Sequence, residues 1–477
     1  MTIIDHFRVR NKTNLMNILH FIQYRRNFRM KKSNLIKFTS LFIIIIAAQI
    51  LLSMIEGQIS ERSSNRYYAR EAVESSWTGS QTLLATVLVI PYERSEKIRV
   101  FDKELKRYVE KTNWIKSKTY ILPKNINIDS KLKHQVLKKG IYDVPVYSAE
   151  INFTGAFELN KLKKLVESPA VRLLKTAYLS FGVSDTRGLT GTPIIKFDKK
   201  DITVYSGSNL DFFLHGFHGE FPLSKDLKDF SFNVDMQVNG MGRIAYIATA
   251  EENKVAIESD WAHPSFDGAF LPATREISES GYKATWKNGM FSTDIENTMK
   301  QCFTGQCENI YASSFGVNHI DAVDVYLKSL RSVKYGLLVV IITFTIFVLY
   351  EVLNRGVRIH PISYSLTGMA LAIFFLLLIA LSEHMSFSAS YWISSIACSG
   401  LIGYYVSHLS RSKQHGGAIF AMLNGFYLVL FFIIRSEDHA LLSGSILLFV
   451  LLAVVMFITR KVDWYQMGNK LPASKTE

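Results

Sequence analysis

A chain of 477 residues and 54.3 kDa has room for about three domains by length alone. With 48% hydrophobic and 20% charged residues it is not a disordered or low-complexity polypeptide, and three cysteines exclude a disulfide-dense secreted scaffold. The formal charge of +14 invites a nucleic-acid reading, which the placement of the charges along the chain removes.

Residues 1–34 form a basic segment that includes Arg25, Arg26, Arg29, Lys31 and Lys32 against the single acid Asp5. It precedes LIKFTSLFIIIIAAQILLSMI at 35–55, an apolar run long enough to cross a bilayer core of ~30 Å as a helix. Its length, and an exit reading SMIEGQIS with no A-x-A pattern, favour an uncleaved anchor over a signal peptide. Residues 58–76 read as a helix continuing from that anchor.

From residue 77 the period changes. The segments 83–93, 118–128, 144–159, 201–207, 230–248 and 253–261 are rich in Val, Ile, Tyr, Phe and Thr, with partial alternation and turn residues between them. They predict a β-rich, sandwich-like domain over 57–334, with a short helix at 159–168 and a glycine-containing hairpin at VNGMGR, 238–243. This stretch carries 37 basic and 33 acidic side chains, so most of the net charge lies outside it. Cys302 and Cys307, in QCFTGQC, are spaced for a local disulfide in an oxidising compartment; two free thiols in a loop is the alternative.

Five further apolar runs follow at 336–354, 364–382, 388–407, 417–434 and 440–459, and a tail at 460–477. The run 388–407 is Ser- and Gly-rich, which suits a helix packed among neighbours, with Cys398 in that packing. Arg355 with Arg358, Arg411 with Lys413, and Arg460 with Lys461 fall in alternate loops. By the positive-inside rule they predict six spans, both termini in the cytoplasm and 57–334 in the periplasm. The basic excess is thereby explained by topology, with the lipid bilayer as the partner and no nucleic acid.

Two outer motifs are candidate ligand sites. DWAHPSFDG, 260–268, gathers Trp261, His263, Phe266 and Asp267, an aromatic platform beside a histidine and carboxylates that suits a sugar or a peptide. SDTRG, 184–188, offers Asp185 and Arg187 to an anion or a partner loop. Each has a structural alternative: a Pro-shaped turn with buried aromatics, and an Asp–Arg pair bracing a turn. In the membrane region the polar candidates are Glu351, His360, Glu383 and His384, all near span ends, where a charge reaches water or caps a helix. No nucleophile, zinc or phosphate-loop motif is present, so the expectation is a protein without catalytic residues, metal or cofactor.

The run 331–351, RSVKYGLLVVIITFTIFVLYE, followed by RIHPISYSLTGMALAIFFLLLIALSEHMSFSASYW, resembles the C-terminal membrane region of the CreD-type inner-membrane proteins. SDTRG, DWAHPSFDGAFLP and GYKATW resemble the outer domain of the same family, in the same order. One departure is LLATVLVIPY, with Ala85 and Thr86 where the family usually has Gly-Pro. The resemblance implies a bacterial inner-membrane protein linked to cell-envelope integrity, a sensor-kinase regulon and altered tolerance of β-lactams and colicins. It implies no reaction, and its partners are envelope components or other membrane proteins, in an oligomeric state left open. The competing functions are a transporter or flippase working through Glu351 or Glu383, and an envelope hydrolase using Asp185, Asp267 and Glu258.

Overall fold

The computed structural model describes residues 32–103, 106–223, 228–303, 307–319, 325–353, 359–435 and 440–460. The basic segment before Lys32, the loops carrying Arg355 with Arg358 and Glu437 with Asp438, and the tail from Lys461 lie outside the described residues. Contacts divide the chain into two units, 1–64 with 324–477, and 65–323. One helix, α1 (Lys32–Ser76), gives its first part to the helical unit and residues 65–76 to the other.

Residues 65–323 form two mixed sheets. The strands run β1 (Gln81–Asp102), β2 (Arg107–Ile121), β3 (Asn125–Lys139) and β4 (Tyr142–Phe157), then the short helix α2 (Asn160–Val166). Next come β5 (Val171–Leu173), β6 (Thr176–Val183), β7 (Leu189–Phe197), β8 (Lys200–Ile202), β9 (Val204–Ser206) and β10 (Gly216–Pro222). The series ends with β11 (Phe230–Gly240), β12 (Arg243–Ile247), β13 (Glu252–Ser259), β14 (Pro264–Gly268), β15 (Thr274–Ser278) and β16 (Gly281–Gly289). The helices α3 (Met290–Thr293), α4 (Ile295–Phe303) and α5 (Glu308–Ala312) then lead to β17 (Phe315–His319).

One sheet has the order β14-β17-β12-β1-β6-β10-β9, with β2 and β5 also paired to β1; the other runs β15-β16-β13-β3-β4-β11-β7-β8. The register follows the sequence pattern. In β11, Phe230, Phe232, Val234, Met236 and Val238 alternate inward, and in β3 Ile126, Ile128 and Leu132 do the same. Inward side chains of both sheets, among them Phe153, Phe181, Tyr246, Trp286 and Phe315, share one core. Each is worth ~1.5–3 kcal/mol relative to exposure. The sandwich expectation is met, with the addition that β1–β12 and β13–β3 pair in parallel.

Two local expectations change. VNGMGR is not a hairpin: β11 pairs with β4 and β7, whereas β12 pairs with β1 and β17, so the chain changes sheets there. Gly242, at φ +72°, supplies the left-handed turn of that change. Residues 118–128 hold two strands rather than one, because β2 ends at Ile121 and β3 begins at Asn125 in the other sheet, across Pro123. At the family departure, the β1–β6 register shifts between Leu84 and Thr86, and Thr249 Oγ1 donates to the Thr86 carbonyl at 2.8 Å.

The helical unit joins the start of α1 to α6 (Val325–Lys334), α7 (Gly336–Leu353), α8 (Pro361–Ser382), α9 (Phe387–Leu409), α10 (Lys413–Arg435) and α11 (Ala440–Thr459). Among the described residues three helices are long and apolar enough to cross a membrane. A fourth arises if α6 and α7, bent by 41° at Tyr335, make one span. The apolar part of α11 is shorter. The helix α9 is long but too polar to qualify, for a physical reason. Ser390, Ser394, Ser395 and Ser399 are buried against neighbours, Asn424 donates to Ser399 Oγ at 2.7 Å, and Tyr391 donates to the Tyr427 carbonyl at 2.8 Å. Gly403 and Gly416 let α9 and α10 meet so closely that a Cβ on either would strike the other's carbonyl. Cys398 is buried in the same packing.

Candidate functional site

The candidate site is a polar cluster held between the two sheets around Trp261. Strand β3 sets its centre. His134 continues the inward phase of Ile126, Ile128, Ser130 and Leu132, so the pleat turns an imidazole toward the inter-sheet space. Just past β13, Asp260 accepts from the His134 backbone N–H at 3.0 and 3.2 Å and from His134 Nδ1 at 2.7 Å. Trp261, half-buried, lays its ring 4.9 Å from that imidazole. The facing sheet contributes His319 at the end of β17, whose ring lies 4.5 Å from His134.

The hydrogen bonds fix the tautomers. His319 Nδ1 donates to the Gly242 carbonyl at 2.8 Å, so its Nε2 accepts from the Tyr282 hydroxyl at 2.9 Å. Burial, and then the neighbouring His134, push His319 down to about 3. Burial also lowers His134 despite the Asp260 carboxylate, so both rings are neutral at pH 7 and the His134–Asp260 contact is a hydrogen bond. Desolvation raises Tyr147, Tyr246 and Tyr282, keeping their hydroxyls protonated. His134 Nδ1 is committed to Asp260, which leaves Nε2 as a bare acceptor. Its Nε2 is buried and has no partner among the described residues.

This arrangement lacks the relay of a hydrolase. Ser259 Oγ lies 3.4 Å from Nδ1, the nitrogen already given to Asp260, whereas a serine–histidine–aspartate relay needs the serine on Nε2. Ser259 Oγ also accepts from the Trp261 N–H at 3.2 Å. The site can accept hydrogen bonds from hydroxyl or ammonium donors through the half-exposed Asp260 carboxylate, beside an indole face, while His134 Nε2 is closed to solvent.

The sequence candidates are distributed as follows. Trp261 belongs to the cluster, and His263 is exposed. Phe266 packs at 5.9 Å from Tyr282 and from Trp286, at the edge of the core. Asp267 is held by Arg243 Nε at 2.9 Å. Asp185 caps a 3₁₀ turn and receives Arg187 at 2.6 Å and Thr78 at 3.1 Å, while Arg187 also reaches the Ser75 carbonyl at 2.5 Å. Arg187 holds the Asp185 carboxyl down to about 2. Glu258 pairs with Lys283 at 3.2 Å. Asp185, Asp267 and Glu258 therefore each answer to a different cation. Cys302 and Cys307 are free thiols, the Cys307 thiol donating to the Cys302 carbonyl at 3.3 Å; burial, then Cys307, push Cys302 up to about 12.

In the helical unit, Glu351 forms an ion pair with Lys37 of α1, and Glu383 lies 3.7 Å from Arg62 of the same helix and accepts from Tyr326 at 3.3 Å. Lys37 and Arg62 are 25 positions apart, about 38 Å along a helix. That is close to the ~40 Å of a bilayer with its interfaces. His360 caps α8, its Nδ1 accepting from the Ile362 N–H at 3.3 Å, and His384 is exposed.

Sequence reasoning missed His134, His319 and Tyr282. His134 had a signal, a histidine on the buried phase of a strand; His319 had none, because its partners are distant in sequence. Among the described residues, no three histidine, cysteine or carboxylate side chains gather as a metal site.

A family profile described as "Inner membrane protein CreD" matches residues 33–465. The Inner membrane protein CreD of Escherichia coli (strain K12) is 30% identical over 444 residues, covering 92% of this chain and 96% of that protein. Both matches run through the apolar helices and the two sheets alike, and the chain belongs to the CreD family of inner membrane proteins.

Proposed function

We propose that this CreD-type protein is a non-enzymatic envelope-binding protein. In this reading its two-sheet unit lies in the periplasm, six spans hold it to the inner membrane with both termini in the cytoplasm, and the Trp261–His134 cluster takes a glycan-type envelope component in support of envelope integrity under stress. The observation that carries the binding role is the lone His134 Nε2 acceptor beside Trp261. A buried acceptor left unmade costs ~1–3 kcal/mol, which a ligand hydroxyl or amide N–H recovers once the Trp261 ring swings aside to admit it. The basic loops support the orientation. The transport reading gains nothing from Glu351 and Glu383, since cations of α1 already neutralise both.

The test is titration calorimetry of the full chain in nanodiscs with the N-acetylglucosamine tetrasaccharide. Binding is expected, with Trp261→Ala and His134→Phe each weakening it about tenfold. Unchanged affinity in both variants, or no binding by the parent protein, overturns the glycan site. Protease added to intact spheroplasts should cut within 65–323; protection there overturns the orientation.

A further inference from the structure

In the strand-rich unit a cleft of about 600 Å³ opens between β2, the loop around Asp211 and α4. Its floor is apolar: Tyr120, Leu122, Phe212, Met299 and Cys302. Consecutive residues from Lys116 to Tyr120 line it, so the cleft runs along the edge of β2 rather than over one face.

That edge carries unused backbone groups. Among the described residues β2 pairs only with β1. Lys118 stands opposite Pro91, whose carbonyl accepts from Leu174 on the far side of β1 at 3.1 Å. Residues of an antiparallel pair alternate between facing the partner and facing away. Pro91 therefore faces away from β2, and Lys118, with Lys116 two residues before it, points its N–H and C=O into the cleft. Their side chains share one face. Lys118 is held by Asp211 at 3.1 Å, and Lys300 lies 3.8 Å from Glu296 one helical turn before it. No carboxylate pairs with Lys116 among the described residues, which leaves the cleft a net positive charge.

We propose that this cleft binds a short acidic segment of a partner polypeptide as an added strand on the free edge of β2. Its main chain pairs with Lys116 and Lys118, and its alternate carboxylates lie on the face those two side chains share, toward Lys116, Lys118 and Lys300. Five residues of edge offer about 17 Å of pairing length. Lysines on an edge strand repel a second copy of the same edge and leave acidic strands as the compatible partner.

The probe is a fluorescein-labelled heptapeptide of alternating valine and glutamate, read by anisotropy against the full chain in nanodiscs. Binding is expected, and N-methylating alternate amides of the peptide, or replacing its glutamates by lysines, should weaken it about tenfold or more. Lys116→Gln should weaken binding about threefold by charge alone. Lys116→Pro should weaken it further, because it also removes an outward N–H without breaking a bond to β1. Trp261→Ala should leave this binding unchanged, which separates the cleft from the glycan site. Equal binding of the N-methylated peptide, no effect of Lys116→Pro, or no binding by the parent protein overturns the proposal.

Discussion

The two units treat buried polarity in opposite ways. In the helical unit the carboxylates at helix ends are matched by counter-charges from α1, Lys37 for Glu351 and Arg62 for Glu383. In the strand-rich unit the cluster between the sheets is built from neutral rings and hydroxyls around one half-exposed carboxylate, Asp260, and one acceptor, His134 Nε2, remains over. A charge in low-dielectric surroundings must be neutralised where it stands and is thereby spent on the fold. A neutral network tolerates a spare lone pair at a cost of ~1–3 kcal/mol. That contrast in charge is the reason the proposed binding site is placed in the sheets.

The comparison can be broken or sharpened by graded substitutions. The largest effect is expected at Trp286, which is 1% exposed, packs against Phe266 and Phe315, and donates to the Phe270 carbonyl at 3.0 Å. Trp286→Ala should cost about 3–5 kcal/mol and lower the melting temperature of the strand-rich unit. Phe449→Ala, at a site 73% exposed, should leave melting unchanged. A Trp286 variant that melts like the parent would mean the sheets do not share a core.

Next is the Lys37–Glu351 ion pair. Glu351→Ala strands Lys37 in a site about three-quarters buried, at about 2–3 kcal/mol. Co-purification of separately expressed 1–60 and 330–477 should fall, and exchanging the two residues should restore it. Unchanged association would show that packing alone holds α1 in the unit.

The neutral cluster should reveal itself through pH. His319 and His134 sit below their ordinary values, so the folded state binds fewer protons than the unfolded one. The resulting stability is present in full above about pH 6.5, and is lost as pH falls toward the folded value of His319, about 3. Between pH 6 and 4.5 the strand-rich unit should lose about 1–2 kcal/mol by chemical denaturation, and His319→Gln should flatten that slope. A slope unaltered by the substitution would place the titration elsewhere.

Two smaller effects follow. Asp185, held down by Arg187, stabilises above its unfolded value near 4, and that contribution disappears as pH falls to about 2. Asp185→Asn should remove about 1 kcal/mol at neutral pH, a modest figure because Arg187 is half-exposed, and progressively less as pH falls through about 2. Arg62 is 48% exposed and 3.7 Å from Glu383, so Arg62→Ala should cost only about 0.5 kcal/mol when the same co-purification is run with 1–76 as the first fragment. A loss matching that of Glu351→Ala would make the two ends of α1 equivalent.

Much of this was legible residue by residue. The alternation FSFNVDMQV gave β11 its inward face, because period-two apolarity has only one good use in a half-buried sheet. The serines of 388–407 marked a helix that packs rather than faces lipid, and Ser399 and Gly403 do that. The sequence over 238–243 misled because glycine spacing reports a turn, not which sheets it joins; Gly242 carries the chain from one sheet to the other. DWAHPSFDG reaches the polar cluster through Trp261. Asp267 went to Arg243, however, and the imidazoles that complete the cluster came from β3 and β17.

The sequence by itself determined the apolar helices, the β-rich middle and the family, since these rest on local period, composition and ordered motifs. Only the tertiary structure decided which polar groups meet: Lys37 with Glu351, and His134 with Asp260, Trp261 and His319. The physical reason is range. Propensity and hydrophobic pattern act over a few residues. A hydrogen bond or ion pair between positions a hundred or more apart exists only once strand order and helix packing have brought its two ends together.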